Sequence, residues 1–291
     1  MSSALKKKII ISTVCAVLLC CALVFVALLC NRNADKHLVI LHVNDTHSHF
    51  EPVAIDEDGT VLLGGVIERA AYIDSLRKAE GEENILLLHA GDFSQGTSYF
   101  SELGGDLEIE TINAMGYDAV ALGNHEFDNG LEELGRRLAM LNCPVVCANY
   151  DFSTFEAGKY ITPYTIVEKA GLKIGITGII CDLSSMIDRD TADRLPSFDQ
   201  AESINKWAKY LKEEEHCDIV IALNHIGFED EDYIDPQMVA DTRNVDIVIG
   251  GHSHTFLEEM AYATNLDGVE VPIVQDGCWG EYVGRIDVRR K

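Results

Sequence analysis

Short apolar runs recur along the chain, and each ends in small and polar residues. The clearest cover residues 38–43, 85–90, 118–122, 218–223 and 246–249. Their length and β-branched content predict buried strands. Between them, apolar positions at helical spacing predict helices. Residues 64–79 carry Val66, Ala70, Ile73 and Leu76, with Arg77 and Lys78 late in the run as suits a helix C-terminus. Further helices are expected over 104–115, closing at Gly116, over 129–141, with Pro144 beyond, and over 201–215. Residues 51–60 are acidic and contain glycine, and read as a surface loop. β-type runs come next at 145–148, 164–167 and 173–180, the last two joined by a hairpin turn at Lys169-Ala170-Gly171. Two more strands are expected at 269–275 and 282–288. No internal repeat is evident, and the pattern does not break after residue 36. The class is α/β in one domain, with late strand pairs that suggest a second, partly antiparallel sheet.

The residues just past these strands carry the chemistry. Asp45 and His47 stand beyond the first. The second leads into Gly91-Asp92 and the third into Gly123-Asn124-His125-Glu126. Asn224-His225 ends the fourth, and Gly250-Gly251-His252-Ser253-His254 the fifth. A lone Asp-x-His triplet is most often a turn or cap. Five metal-capable strand ends are different, because open α/β sheets bind ligands beyond the carboxyl ends of their strands. Asp45, His47, Asp92, Asn124, His225, His252 and His254 exceed one tetrahedral site and suit two ions sharing a bridging carboxylate. The mixed nitrogen and oxygen set favours Zn, Mn, Fe or Co over Mg or Ca. His125 is left over, with Asp128 three residues on to orient it and hold it cationic for acid catalysis. His42 and His89 lie within strands and are expected to be core residues. Ser48 and His49 receive no role, and His37 and His216 are expected to be solvated. Phe93, Tyr99 and Phe127 either line a pocket or are buried.

Composition narrows the partners. The formal net charge is −25, so no basic stripe exists to displace counterions from a nucleic-acid polymer. Small phosphorylated substrates stay open, since bound metal supplies local positive charge. At the N-terminus, Lys6-Lys7-Lys8 precede an uncharged run over 9–30. As a helix that run would measure about 33 Å, enough to span a bilayer. It exceeds a secretory signal core and lacks a convincing cleavage site. The expectation is a transmembrane anchor over 1–30, a polar linker over 31–37 and a catalytic domain over 38–291. The lysines then place that domain outside the cytoplasm; cleavage of the segment would make it secreted. Five cysteines lie beyond the anchor: Cys143, Cys147, Cys181, Cys217 and Cys278. An odd number leaves at least one free, Cys143 and Cys147 are close enough to pair, and the absence of C-x-x-C argues against a zinc ribbon.

The stretches NDTHSH, GDFSQGT, GNHEFDNG, NHIGF and GHSHT resemble, in order and spacing, the motif series of the calcineurin-like metallophosphoesterases, with the 5′-nucleotidase/UDP-sugar hydrolase family as the nearest pattern. TPYTIVEKAGLKIGITGI is similar too, and the resemblance runs over about 36–288. It implies a four-layer α/β/β/α sandwich of two mixed sheets. It implies one metal on Asp45, His47 and His254, Asp92 bridging, and a second metal on Asn124, His225 and His252. It implies His125 as the catalytic histidine, paired with Asp128, with Asn124 and His125 also touching substrate. The expected activity is hydrolysis of nucleotides or related phosphomonoesters, with cyclic nucleotides or other phosphodiesters as the alternative. A non-catalytic surface binding protein is the third reading; the intact ligand set and His125–Asp128 pair argue against it. The resemblance also implies a second, C-terminal domain supplying an aromatic stack for the base. The sequence runs to Lys291, so base recognition is expected from a partner or a further segment.

Overall fold

The structure, a computed structural model, describes residues 36–229 and 232–290. The strands are β1 (Lys36–Val43), β2 (Pro52–Ile55), β3 (Val61–Gly64), β4 (Ile85–His89), β5 (Ala119–Ala121), β6 (Val145–Val146), β7 (Ile161–Thr162), β8 (Tyr164–Lys169), β9 (Leu172–Thr177), β10 (Ile219–Leu223), β11 (Ile247–Ile249), β12 (Ala261–Thr264), β13 (Glu270–Val274) and β14 (Gly284–Arg290). The α-helices are α1 (Val66–Glu80), α2 (Ser98–Leu103), α3 (Asp106–Met115), α4 (Gly130–Leu138), α5 (Arg189–Ala192), α6 (Gln200–Glu213) and α7 (Asp235–Ala240).

Two six-stranded sheets result, ordered β14-β1-β4-β5-β6-β7 and β12-β13-β11-β10-β9-β8. In the first, β1, β4, β5, β6 and β7 pair in parallel. In the second, β9, β10, β11 and β13 are parallel while β8 and β12 are antiparallel edges, so this sheet is mixed. Alternation along each strand decides the packing. Leu38 and Ile40 of β1 join Leu86 and Leu88 of β4 and Ile219, Ile221 and Leu223 of β10 in one apolar cluster, so the sheets pack on each other. Val39 and Leu41 face the other way, onto Ile73 of α1, Ile109 of α3 and Leu134 of α4. The second sheet's outer face, with Val220 and Val248, is covered by Ile204 and Leu211 of α6 and Met238 of α7. Leu38–Val288 forms one compact unit.

Several expectations need correction. Residues 51–60 are not a plain loop: β2 pairs antiparallel with β3, and Asp56 Oδ1 accepts from the amides of Asp58 (3.0 Å) and Thr60 (2.8 Å) to close the turn. The acidic residues around Val53 and Ile55 hid that alternation. The helix expected over 104–115 begins at Asp106, after Gly104 and Gly105, left-handed at φ 65° and 94°, break it from α2. Lys36 and His37, placed in the linker, begin β1. Cys143 and Cys147 do not pair; none of the five cysteines beyond the expected anchor forms a disulfide, and burial pushes both of these thiols up to about 12. The anchor expected over 1–30 lies outside the described residues; among those described, no helix is long and apolar enough to cross a membrane. The hairpin at 164–180 does form, from Tyr164↔Thr177 to Lys169↔Leu172.

Candidate metal centre

Parallel register brings strand ends to one edge. Val43 pairs with His89, Ala121 with Val146 and Leu223 with Ile249, so the segments beyond them leave together. They leave in unusual conformations. Asp45, His47, Asp92, His252 and His254 have φ of 48°, 47°, 53°, 82° and 55°, a region non-glycine residues seldom occupy. Such strain persists only where the surroundings over-determine it. Here Asp45 N donates to Gly91 O and His47 N to Asp92 O (both 3.0 Å), while His252 N donates to Asp45 Oδ2 (3.0 Å) and Trp279 N to Asp45 O (2.6 Å).

Two groups of donor atoms converge. Asp45, His47 and His254 form one, and Asp92, His225 and His252 the other; His125 joins His47 and Asp92 in a third, overlapping group. Asp45 Oδ1 lies 3.3 Å from His254 Nε2, 3.7 Å from His47 Nε2 and 3.8 Å from His225 Nε2. Asp92 Oδ2 lies 3.1 Å from His225 Nε2 and 3.8 Å from His47 Nε2. These residues fit divalent ions. His225 Nδ1 donates to Ala90 O (2.7 Å), which fixes the tautomer and leaves the Nε2 lone pair inward. That Nε2 is buried and, despite its approach to Asp92, has no hydrogen bond of acceptable geometry. His47 Nε2 and His254 Nε2 face each other at 2.9 Å, where at most one can carry the proton. Ring nitrogens and carboxylate oxygens packed about shared points are the donor set that Zn, Mn, Fe and Co take.

Charge is arranged accordingly. Burial opposes ionisation of Asp45, but His225, His254 and His47 outweigh it and hold the carboxyl below its usual range. Burial also opposes charge on His225, yet Asp92 and Asp45 push it up to about 10. The bond to Asp45 is the main reason His254 rises to about 10. Burial takes His252 down to about 4. At the rim, His125 Nδ1 lies 2.9 Å from Asp128 Oδ2, and that bond raises its affinity for a proton against partial burial.

Of the sequence-predicted residues, Asp45, His47, Asp92, His125, His225, His252 and His254 come together, with Asp128 beside His125. Asn124 is buried in a 3-10 turn, Asn124–Phe127, where its Oδ1 accepts from the Cys181 thiol at 3.8 Å. His42 and His89 are buried as expected, His42 against Asp276 at 3.0 Å and His89 against Thr46 Oγ1 at 3.2 Å. Phe93 and Phe127 are both buried, and Phe93 also lines a small cavity beside the loop of Asp45, His47 and Ser48. His49, given no role, stacks on Trp279 with ring centroids 4.9 Å apart.

Two supporting carboxyls escaped sequence reasoning. Fully buried Glu126 accepts from the amides of Gly123 (2.6 Å), Asp92 (2.9 Å) and Ser94 (3.0 Å), clamping two ligand segments together. It sits inside GNHEF, where its neighbours' chemistry drew the reading away from it. Gly123 is required there, because a Cβ would land on Asp92 Oδ1. Gly123→Ala should cost about 2 kcal/mol and weaken metal binding, checked by melting and metal titration.

Asp235, on α7 and fully buried, accepts from Asn224 Nδ2 at 2.8 Å, beside His225. Burial pushes its carboxyl from 3.8 up to about 7. The folded state therefore binds this proton more tightly than the unfolded chain, so stability present below pH about 4 is lost as the pH rises through 7. Asp235→Asn keeps the acceptor without that loss. Relative to the parent, its Tm should gain roughly 5 °C at pH 8 and nothing at pH 4; equal shifts at both pH values would contradict the assignment.

Residues 38–256, three-quarters of the chain, match the family described as Calcineurin-like phosphoesterase. The chain belongs to that family. Among curated relatives of this calcineurin-like phosphoesterase, a snake venom 5′-nucleotidase from Gloydius brevicauda is 35% identical over 284 residues, covering 91% of this chain and 47% of the relative. The 5′-nucleotidase of Bos taurus is 34% identical over 272 residues, covering 86% and 46%. The crystal structure of a 5′-nucleotidase precursor from Thermus thermophilus superposes with a TM-score of 0.78 at 32% identity, covering 87% of this chain and 51% of that one. The chain spans about half the length of the curated relatives it matches.

Proposed function

We propose that this chain is a dinuclear-metal phosphoesterase hydrolysing nucleotides or related phosphomonoesters, in the manner of a 5′-nucleotidase. The observation that carries the reading is the convergence of two His/Asp groups around Asp45 and Asp92, with the His125–Asp128 pair beside them. Asp45, His47 and His254 would hold one ion and Asn124, His225 and His252 the other, with Asp92 bridging. When bound, such ions supply positive charge for the phosphoryl oxygens and make water nucleophilic near neutral pH. The protein's own part is placement and proton supply. Asp128 orients the His125 ring and raises its affinity for the proton it would donate. As water adds to phosphorus and the ester P–O bond breaks, His125 gives its proton to the departing alkoxide. Asn124 and His125 would also contact the phosphoryl group. Asp128→Asn should lower kcat about tenfold with metal content unchanged; unaltered kcat would remove Asp128 from this role.

The three apolar clusters support the four-layer sandwich of this family. The uncharged run behind Lys6-Lys7-Lys8 supports an anchor over 1–30, with the linker ending where β1 begins at Lys36 and the catalytic domain outside the cytoplasm. A partner or further domain would then supply base recognition. The test is phosphate release from AMP, UDP-glucose, 2′,3′-cyclic AMP, an aryl phosphate and a bis-aryl phosphate by the full chain reloaded with Mn or Zn. Turnover strongest on AMP supports the reading. Turnover confined to the diesters selects the phosphodiesterase alternative.

A further inference from the structure

Beside the strained loop of Asp45, His47 and Ser48 lies a small cavity of about 20 Å³. Its walls bring together Ser48 from the loop, Arg69 from α1, His89 from β4 and Glu108 from α3. All four are more than nine-tenths buried: Arg69 is 7% exposed, Glu108 3%, Ser48 2% and His89 1%. Six of their polar atoms find no hydrogen-bond partner within the protein, namely Ser48 Oγ, Arg69 Nε and Nη1, His89 Nδ1, and both carboxyl oxygens of Glu108. Buried polar groups are nearly always hydrogen-bonded, and leaving these six without partners would be costly.

The geometry points to a structural water site: a buried water bridging Arg69 to Glu108 and reaching Ser48 and His89, so that it braces the ligand loop. The space suits one such molecule, which needs about 10–15 Å³. The lining selects its chemistry. Arg69 offers only donors and Glu108, when ionised, only acceptors. A chloride could take the guanidinium but would be repelled by the carboxylate, and a sodium ion the reverse. Water accepts from one and donates to the other, with two bonds left for Ser48 and His89. Burial, with Arg69 next in weight, takes His89 down to about 3, so its ring is neutral and adds no competing charge.

The brace has something to hold. Ser48 comes directly after His47 and is itself left-handed at φ 55°. On one side the loop is pinned by backbone, His47 N to Asp92 O at 3.0 Å and Ser48 N to Phe93 O at 3.1 Å. The water site would supply the opposing support, and Thr46 Oγ1, 3.2 Å from His89 Nε2, ties the same strand end to it. Arg69, Glu108 and Ser48 are positioning residues here, acting through the loop rather than on substrate.

The test compares the full chain with Arg69→Met, Glu108→Leu and the double variant. Each single change strands one buried partner and should lower Tm by about 6 °C or more; the double change removes both and should melt closer to the parent than either single. Additive losses, or singles that melt like the parent, would overturn the bridge. A crystal structure should show one water within hydrogen-bonding distance of Arg69 and Glu108; a direct Arg69–Glu108 ion pair, or chloride anomalous signal, would refute the water. Zinc titration separates bracing from mere stability: the folded double variant should bind its more weakly held zinc about tenfold less tightly. Unchanged zinc affinity would show that the site does not brace the loop.

Discussion

Asp92→Ala should abolish metal-dependent phosphate release, by about three orders of magnitude or more, and should weaken binding at both metal positions together. The carboxylate is 2% exposed and its oxygens have separate duties. Oδ2 stands 3.1 Å from His225 Nε2 and 3.8 Å from His47 Nε2, one ring in each donor group. Oδ1 accepts from the amide of His125 at 2.9 Å, so it also fixes the backbone of the proposed acid. Removing it should leave His225 without its strongest counter-charge and release the turn at Asn124–Phe127. Metal content measured across the variant should fall at both positions. Loss of one ion alone would show that Asp92 is not a bridge.

His125→Ala separates chemistry from assembly. The ring is half-buried at the rim, paired with Asp128 and 5.3 Å centroid to centroid from His47. Its loss should lower kcat on AMP by roughly 10²–10⁴, the range for removing a general acid. Metal content should stay unchanged, because both donor groups are complete without it. Aryl phosphates with acidic leaving groups need less protonation and should lose less. A fall in metal content instead would make His125 a ligand, as its place with His47 and Asp92 allows.

The sequence made the donor set legible because its residues are polar types standing where apolar strands end, an anomaly visible without a structure. The long strands were legible for the complementary reason: 38–43 and 85–90 have room for no other element. What stayed hidden was short or depended on distance along the chain. β12 and α7 span 4 and 6 residues, too few for a period to show. Asp235 meets Asn224 only because the start of α7 returns to the end of β10, where the Asp235 amide donates to Gly227 O at 2.9 Å, and nothing in its neighbours marks it. Glu126 reads as an ordinary first-turn acid until three amides are seen to converge on it. Arg69 and Glu108 sit on helices that cover a sheet face, where a charge is expected to face solvent; both are instead buried. The break at Gly104-Gly105 was visible as two glycines but not as a left-handed pair.

The most direct test of the central claim is a metal count joined to turnover. The full chain is stripped, reloaded with Mn or Zn, and assayed for bound ions per chain and for phosphate release from AMP. Two ions per chain, with activity rising only as the second binds, is the predicted result. Activity that survives stripping, or that is complete with one ion, would contradict a dinuclear centre built on Asp45, Asp92 and their histidines.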